Sequence, residues 1–430
     1  MEALLSLSIA LLAGLLLSRL AKLLQLPAVT AYLVAGILVG PYCLGAFGVK
    51  GLGFVNMHDI ETYSIISDVA LGFIAFSIGN EFRLSQLKKI GKQATIVGVF
   101  QAVVTTVVVD IALILLHFAM PDKLPLPAAI TLGAIASATA PAATLMVVKQ
   151  YKAKGPVTDI LLPVVALDDA VGLVLFAISF GVAKSLGAGA AIGVVSVVVE
   201  PLLEILCSLA LGAIMGYLFS LCERFFHSRS KRLAVSVGFV FMTIGLSMLK
   251  FTIGGVHIGF SSLLVCMMLG TIFCNICDFS ENLMDRVDRW TAPLFVLFFV
   301  ISGAELELSV FTDLMIVVIG VVYIISRSAG KYGGAYLSAR LSKCEPNVVK
   351  YLGITLLPQA GVALGMANMA MKATELGSAG ILISNITLFA VLIYELIGPA
   401  LTKMALLKAG DINPEGKTSA RHESLKNTAK

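Results

Sequence analysis

Charge is scarce in this chain. Only 13% of its 430 residues are Asp, Glu, Lys or Arg, against about 25% in an ordinary soluble protein. That shortage excludes a soluble domain of any size, because the apolar stretches recur to the end of the chain. Histidine occurs five times and tryptophan once. The seven cysteines are an odd number and lie mostly inside apolar segments, where they act as small hydrophobes rather than as a disulfide framework. Cys274-Asn-Ile-Cys277 is a lone CxxC at a helix end and reads as packing. No nucleophile arrangement, metal cluster or phosphate-cradling loop is present, so nothing supports an enzyme or a bound cofactor.

What is present is length and grease. Hydrophobic residues make up 58% of the chain, and a bilayer span needs roughly 20 mostly apolar residues. By that rule about thirteen spans are expected, giving an all-α membrane protein in the lipid bilayer. The first segment lacks a basic n-region and is read as mature structure. With the N-terminus outside, most of the 31 basic residues collect in the loops of one side. The other side receives Lys50, Lys123, Lys184, Lys250 and Lys372. This asymmetry follows the positive-inside rule and predicts a cytoplasmic C-terminus in the cell (inner) membrane. The net charge of +5 reflects those loops, so no nucleic-acid partner is expected. A polar tail over 411–430 is read as disordered, and no fused regulatory domain is expected after the last span.

Thirteen divides as six, one and six, which inverts the second six relative to the first. Inverted repeats with a site at the bilayer midplane are a common transporter plan. The fifth span is interrupted at Thr139-Ala-Pro141, and its counterpart, the twelfth, at Pro358-Gln-Ala-Gly361. Paired interruptions at similar depth point to broken helices lining a site. The sixth span carries Asp168-Asp169, and an ionised carboxylate at that depth costs at least about 2.5–3.5 kcal/mol on insertion scales. Neighbouring residues point about 100° apart on a helix, so one aspartate can face a cavity while the other faces a helix. The eleventh span holds Arg327 and, one turn on, Lys331. Arg327 is the favoured charge partner, with Lys331 the weaker candidate, able to snorkel toward the surface. The bland alternative is that both acids merely neutralise buried bases. Asp110, Asp68, Glu200, Glu204 and Glu395 are weaker candidates, read mainly as structural.

Ala70-Leu-Gly-Phe-Ile-Ala-Phe-Ser-Ile-Gly-Asn-Glu-Phe82, Ala138-Thr-Ala-Pro-Ala-Ala-Thr144, Val165-Ala-Leu-Asp-Asp-Ala170, Leu357-Pro-Gln-Ala-Gly-Val-Ala-Leu-Gly365 and Tyr394-Glu-Leu-Ile-Gly-Pro399 stand in order along the chain. On these stretches it resembles the monovalent cation–proton antiporter superfamily, in the branch of bacterial sodium/proton antiporters and potassium-efflux systems. The resemblance implies a homodimer exchanging a monovalent cation, sodium or potassium, for protons by elevator-type alternating access. It implies a dimerisation domain from 1–80 and 232–304, a core from 93–184 and 309–406, and a linker helix over 190–222. By position, Asp169 matches the ion and proton carrier, Asp168 the acid paired to the base at Arg327, and Thr139 an oxygen ligand of sodium or potassium beside Asp169. Members with two aspartates and electrogenic exchange usually carry Lys at the Arg327 position, and Ala140 stands where an acid or serine is frequent. Stoichiometry and ion identity are therefore left open. The rival readings are a sodium-coupled organic solute transporter on a related fold and a cation channel.

Overall fold

Half-length helices are the first feature that the apolar pattern alone does not dictate. The computed structural model describes residues 2–23, 28–49, 53–87, 91–140, 144, 147–148, 151–187, 199–249, 251–253, 256–306 and 312–412. Pro141 and all but the first two residues of the expected tail lie outside them. The helices are α1 (Glu2–Leu23), α2 (Ala28–Val39), α3 (Met57–Thr62), α4 (Ser64–Glu81), α5 (Leu84–Leu87), α6 (Lys92–Ala119), α7 (Leu126–Ile135) and α8 (Pro156–Gly187). They continue as α9 (Glu200–Phe225), α10 (Arg229–Ser247), α11 (Ser262–Ile276), α12 (Ser280–Ala304), α13 (Leu314–Leu341), α14 (Pro346–Thr355), α15 (Gly361–Lys372) and α16 (Ser378–Ala409). Among the described residues the strands form one antiparallel hairpin, β1 (Phe251–Ile253) and β2 (Val256–Ile258), with Phe251 opposite Ile258.

Nine helices among the described residues are long and apolar enough to cross a bilayer alone. The others are shorter: α7 and α14 have ten residues each, or about 15 Å at 1.5 Å per residue, half a hydrocarbon core. Several boundaries differ from expectation. Helix α9 runs three residues past the expected end of the linker, and α16 runs three past the expected end of the core at 406.

Local chemistry sets the helix ends. Pro156 and Pro346 open α8 and α14, where a missing N–H costs nothing. Asp313 caps α13 by accepting from Met315 N at 2.9 Å. A hydrogen bond from the Lys123 ammonium, 2.5 Å away, holds the Asp313 carboxyl below its ordinary range. Asp411, expected to begin a free tail, is instead buried. Its carboxylate accepts from Thr158 N at 2.7 Å and Thr158 Oγ1 at 2.8 Å, because it supplies an acceptor for the open first turn of α8.

Packing sorts the helices into two sets. In one, α1 and α12 both pack on α2, α11 packs on α4, and α9 lies along α11. In the other, α6 packs on α13 and α8, α7 on α8, and α14 and α15 on α16. Close backbone approach holds the first set together. A Cβ on Gly36 of α2 would stand 2.0 Å from Val300 O of α12, and one on Gly303 would stand 2.2 Å from Leu33 O. The same reciprocal contact recurs between α4 and α11, at Gly79 against Met267 O (1.9 Å) and Gly270 against Phe76 O (2.2 Å). Small residues drive such contacts where no hydrophobic difference separates lipid from protein. An inverted plan would exchange α2 and α12 with α11 and α4, which makes the two contacts counterparts.

Candidate ion-translocation site

The two interrupted segments cross. Helix α7 stops at Ile135, and α14 stops at Thr355 before α15 resumes at Gly361. The non-helical residues between are tied by a backbone hydrogen bond from Ala140 N to Pro358 O of 2.9 Å. Each stop leaves carbonyls without helical partners, and at this depth they must be met by protein. Arg327 meets three of them. Its Nε donates to Ala136 O at 3.0 Å, Nη1 to Leu357 O at 2.7 Å and Nη2 to Ala138 O at 2.8 Å. Its guanidinium also lies 4.4 Å from the centre of the Tyr394 ring. Gln359 Nε2 takes a further carbonyl, Ile135 O, at 3.0 Å.

Asp168 is therefore not partnered by Arg327, contrary to expectation. Its Oδ2 lies 2.7 Å from Lys331 Nζ, and both side chains are fully buried. Lys331 also donates to Gln101 Oε1 at 3.0 Å, to Thr139 Oγ1 at 2.9 Å and to Ser137 O. Asp168 accepts in addition from Gln101 Nε2 and from the Thr139 hydroxyl. Arg327 and Lys331 are four residues apart and share a face of α13. The register of the crossing decides between them: the fork of Arg327 falls among carbonyls it can bridge, and the ammonium of Lys331 falls on the carboxylate. Lys331 is thus drawn inward and does not snorkel.

Asp169 is nearly as buried, 2% exposed, but points elsewhere. It lines a cavity of about 670 Å³ between the two helix sets, walled by Tyr32, Ile74, Ala140, Phe299 and Gly361 and reaching Arg289. The structure brings together Asp168, Thr139, Lys331 and the two interruptions. Asp169 lines the cavity beside that network, and the Thr139 hydroxyl turns to Asp168 and Lys331. Pro358 sits at the crossing itself and Gly361 begins α15. Gln101 of α6 went unnoticed in the sequence, although a solitary amide deep in an apolar span demands a polar partner. Asp110 packs against α7 so closely that a Cβ on Gly133 would stand 1.8 Å from Asp110 Oδ1.

A protein-family model described as "Sodium/hydrogen exchanger, transmembrane" matches residues 7–408. The chain belongs to this family. It is a cation/proton antiporter, and the family is one of transporters rather than enzymes. Among solved structures the fold is similar to the sodium proton antiporter MjNhaP1 from Methanocaldococcus jannaschii at pH 8. That match has a TM-score of 0.71 at 19% identity and covers 95% of this chain and 99% of the other. An electron-microscopy structure of MjNhaP1 matches with a TM-score of 0.66 at 16% identity, covering 96% of this chain and 97% of that one. Among curated protein sequences, none matches.

Proposed function

We propose that the antiporter exchanges sodium for protons at Asp169, working as a homodimer with thirteen crossings, its C-terminus on the cytoplasmic side. The observation that carries this reading is the cavity that ends on Asp169. It gives one buried carboxylate access to a mouth near Arg289, on the side richer in basic loops. Asp168, by contrast, is committed to Lys331, Gln101 and Thr139. A carboxylate at low dielectric is stabilised by a proton or by a cation, and the two compete for its single charge. If the set containing α6–α8 and α13–α16 slides against the other only when Asp169 is occupied, obligatory exchange follows. Arg327 would keep the two breaks together during that motion. The polar atoms of the crossing would supply cation ligands, since oxygen donors suit a hard cation. With Lys331 on Asp168, a lysine pairs with the first of two aspartates, as in the electrogenic members, although the resemblance places that lysine one turn earlier, at the Arg327 position.

The test is flux in proteoliposomes, with sodium and potassium in parallel. Asp169→Asn is expected to abolish proton-coupled sodium flux while its melting temperature stays close to that of the parent. Robust coupled flux in that variant would sink the assignment. Flux with potassium and none with sodium would replace the cation.

A further inference from the structure

The large cavity has a counterpart at the far end of the same helices. It is walled by Ile74, Ser77 and Ile78 late in α4, by Phe295 and Phe299 of α12, and by Gly361 and Val362 at the start of α15. A second chamber of about 370 Å³ is lined by Ser64 at the start of α4, Glu305 just past α12, Lys372 at the end of α15, and Ser384 of α16. Arg289 and Glu305 belong to opposite mouths, about 24 Å apart along α12 at 1.5 Å per residue. Between the chambers the helices touch. Leu71, Leu364 and Met366 are buried, and a Cβ on Gly365 would stand 2.4 Å from Leu71 Cδ2.

At the second mouth two side chains of α15 tie one helix set to the other. Lys372 Nζ lies 2.6 Å from Asp68 Oδ1 and donates to Ser64 O at 3.2 Å, joining α15 to α4. Asn368 Nδ2 donates to Glu305 Oε2 at 3.4 Å, joining α15 to the end of α12. Asn368 and Lys372 are four residues apart and so share a face of α15. We infer that Asp68, Lys372, Glu305 and Asn368 form a latch that closes the second mouth while the Asp169 cavity stands open. Sliding α15 past α4 and α12 breaks both contacts at once and opens the 370 Å³ chamber. In sequence, Gly303-Ala-Glu305 at the end of α12 repeats Gly79-Asn-Glu81 at the end of α4.

The inference rests on the alternating-access reading, and the experiment separates the two. Ser384→Cys serves as a reporter in the chamber. Its labelling by a membrane-impermeant maleimide, added on the Lys372 side, is measured above the background of the protein lacking the reporter. Lys372→Met and Asp68→Asn are each expected to raise the labelling rate about three- to fivefold, as loss of a partly exposed ion pair shifts a two-state population. The exchanged pair, Asp68→Lys with Lys372→Asp, is expected to return it to within about twofold of the parent. Asn368→Ala gives an independent reading if a charge variant does not fold. Sodium/proton exchange is recorded on the same preparations. Unchanged labelling in every variant beside intact exchange overturns the latch alone. Absence of exchange in the unsubstituted protein overturns the transport reading and the latch with it.

Discussion

At the scale of single residues, the site depends on one buried cation being placed on one buried anion. Lys331 and Asp168 are each fully buried and 2.7 Å apart. Their mutual attraction offsets a desolvation cost that neither could bear alone. Lys331→Met removes the cation and leaves Asp168 with only the neutral donors of Gln101 and Thr139. Breaking a buried pair from one side costs about 3–5 kcal/mol, so the melting temperature in detergent is expected to fall steeply. The double variant Asp168→Asn with Lys331→Met carries no unpaired charge and is expected to recover most of that loss. A double variant as unstable as the single one would show that Lys331 acts through packing instead. Arg327 behaves differently, because its three partners are carbonyls. Its removal opens the crossing rather than unbalancing a charge.

At the scale of elements, two devices matter: broken helices that cross and unbroken helices that touch through glycine. Gly303→Val would place a branched side chain where a Cβ already meets Leu33 O at 2.2 Å. Overpacking of this kind costs about 1–3 kcal/mol, read as a lower melting temperature. Gly245→Ala on α10 is the control, since a Cβ there meets nothing within 4 Å. It is expected to leave stability unchanged or to raise it by up to about 1 kcal/mol, because alanine is the better helix former. The breaks were legible in the sequence, because Pro358 lacks a backbone N–H and, with Gly361 three residues on, weakens the helix at the same depth as the Pro141 interruption. The depth of Asp168-Asp169 was legible for the same kind of reason, as charge in an apolar run. The choice between Arg327 and Lys331 was not. Both lie on one face of α13, and what separates them is where Ala136, Ala138 and Leu357 present their carbonyls, a matter of tertiary register. Gln101 was hidden likewise, since an amide's importance depends on what faces it. The burial of Asp411 required knowing that α16 ends beside the first turn of α8.

At the scale of the whole molecule, the open question is how much charge moves per cycle, and Lys331 bears on it. Arginine stays protonated in any protein setting, whereas lysine can release its proton when buried. With Lys331 on Asp168, a second protonatable group stands one helix position from the proposed carrier. Entry of a sodium ion at Asp169 can then be accompanied by proton loss from both groups, so that two protons exchange for one cation. One net charge crossing per cycle responds to membrane potential by about 2.3 kcal/mol per 100 mV, a roughly 50-fold change in the sodium ratio held at equilibrium. Proteoliposomes with a fixed pH difference and an imposed potential are expected to show a shift of that order. Lys331→Arg keeps a cation on Asp168 but withholds its proton, so any exchange that survives in that variant is expected to lose the dependence on potential. A parent protein indifferent to potential would mean that Asp169 alone exchanges one proton for one cation, with the Lys331–Asp168 pair holding the crossing helices in place throughout.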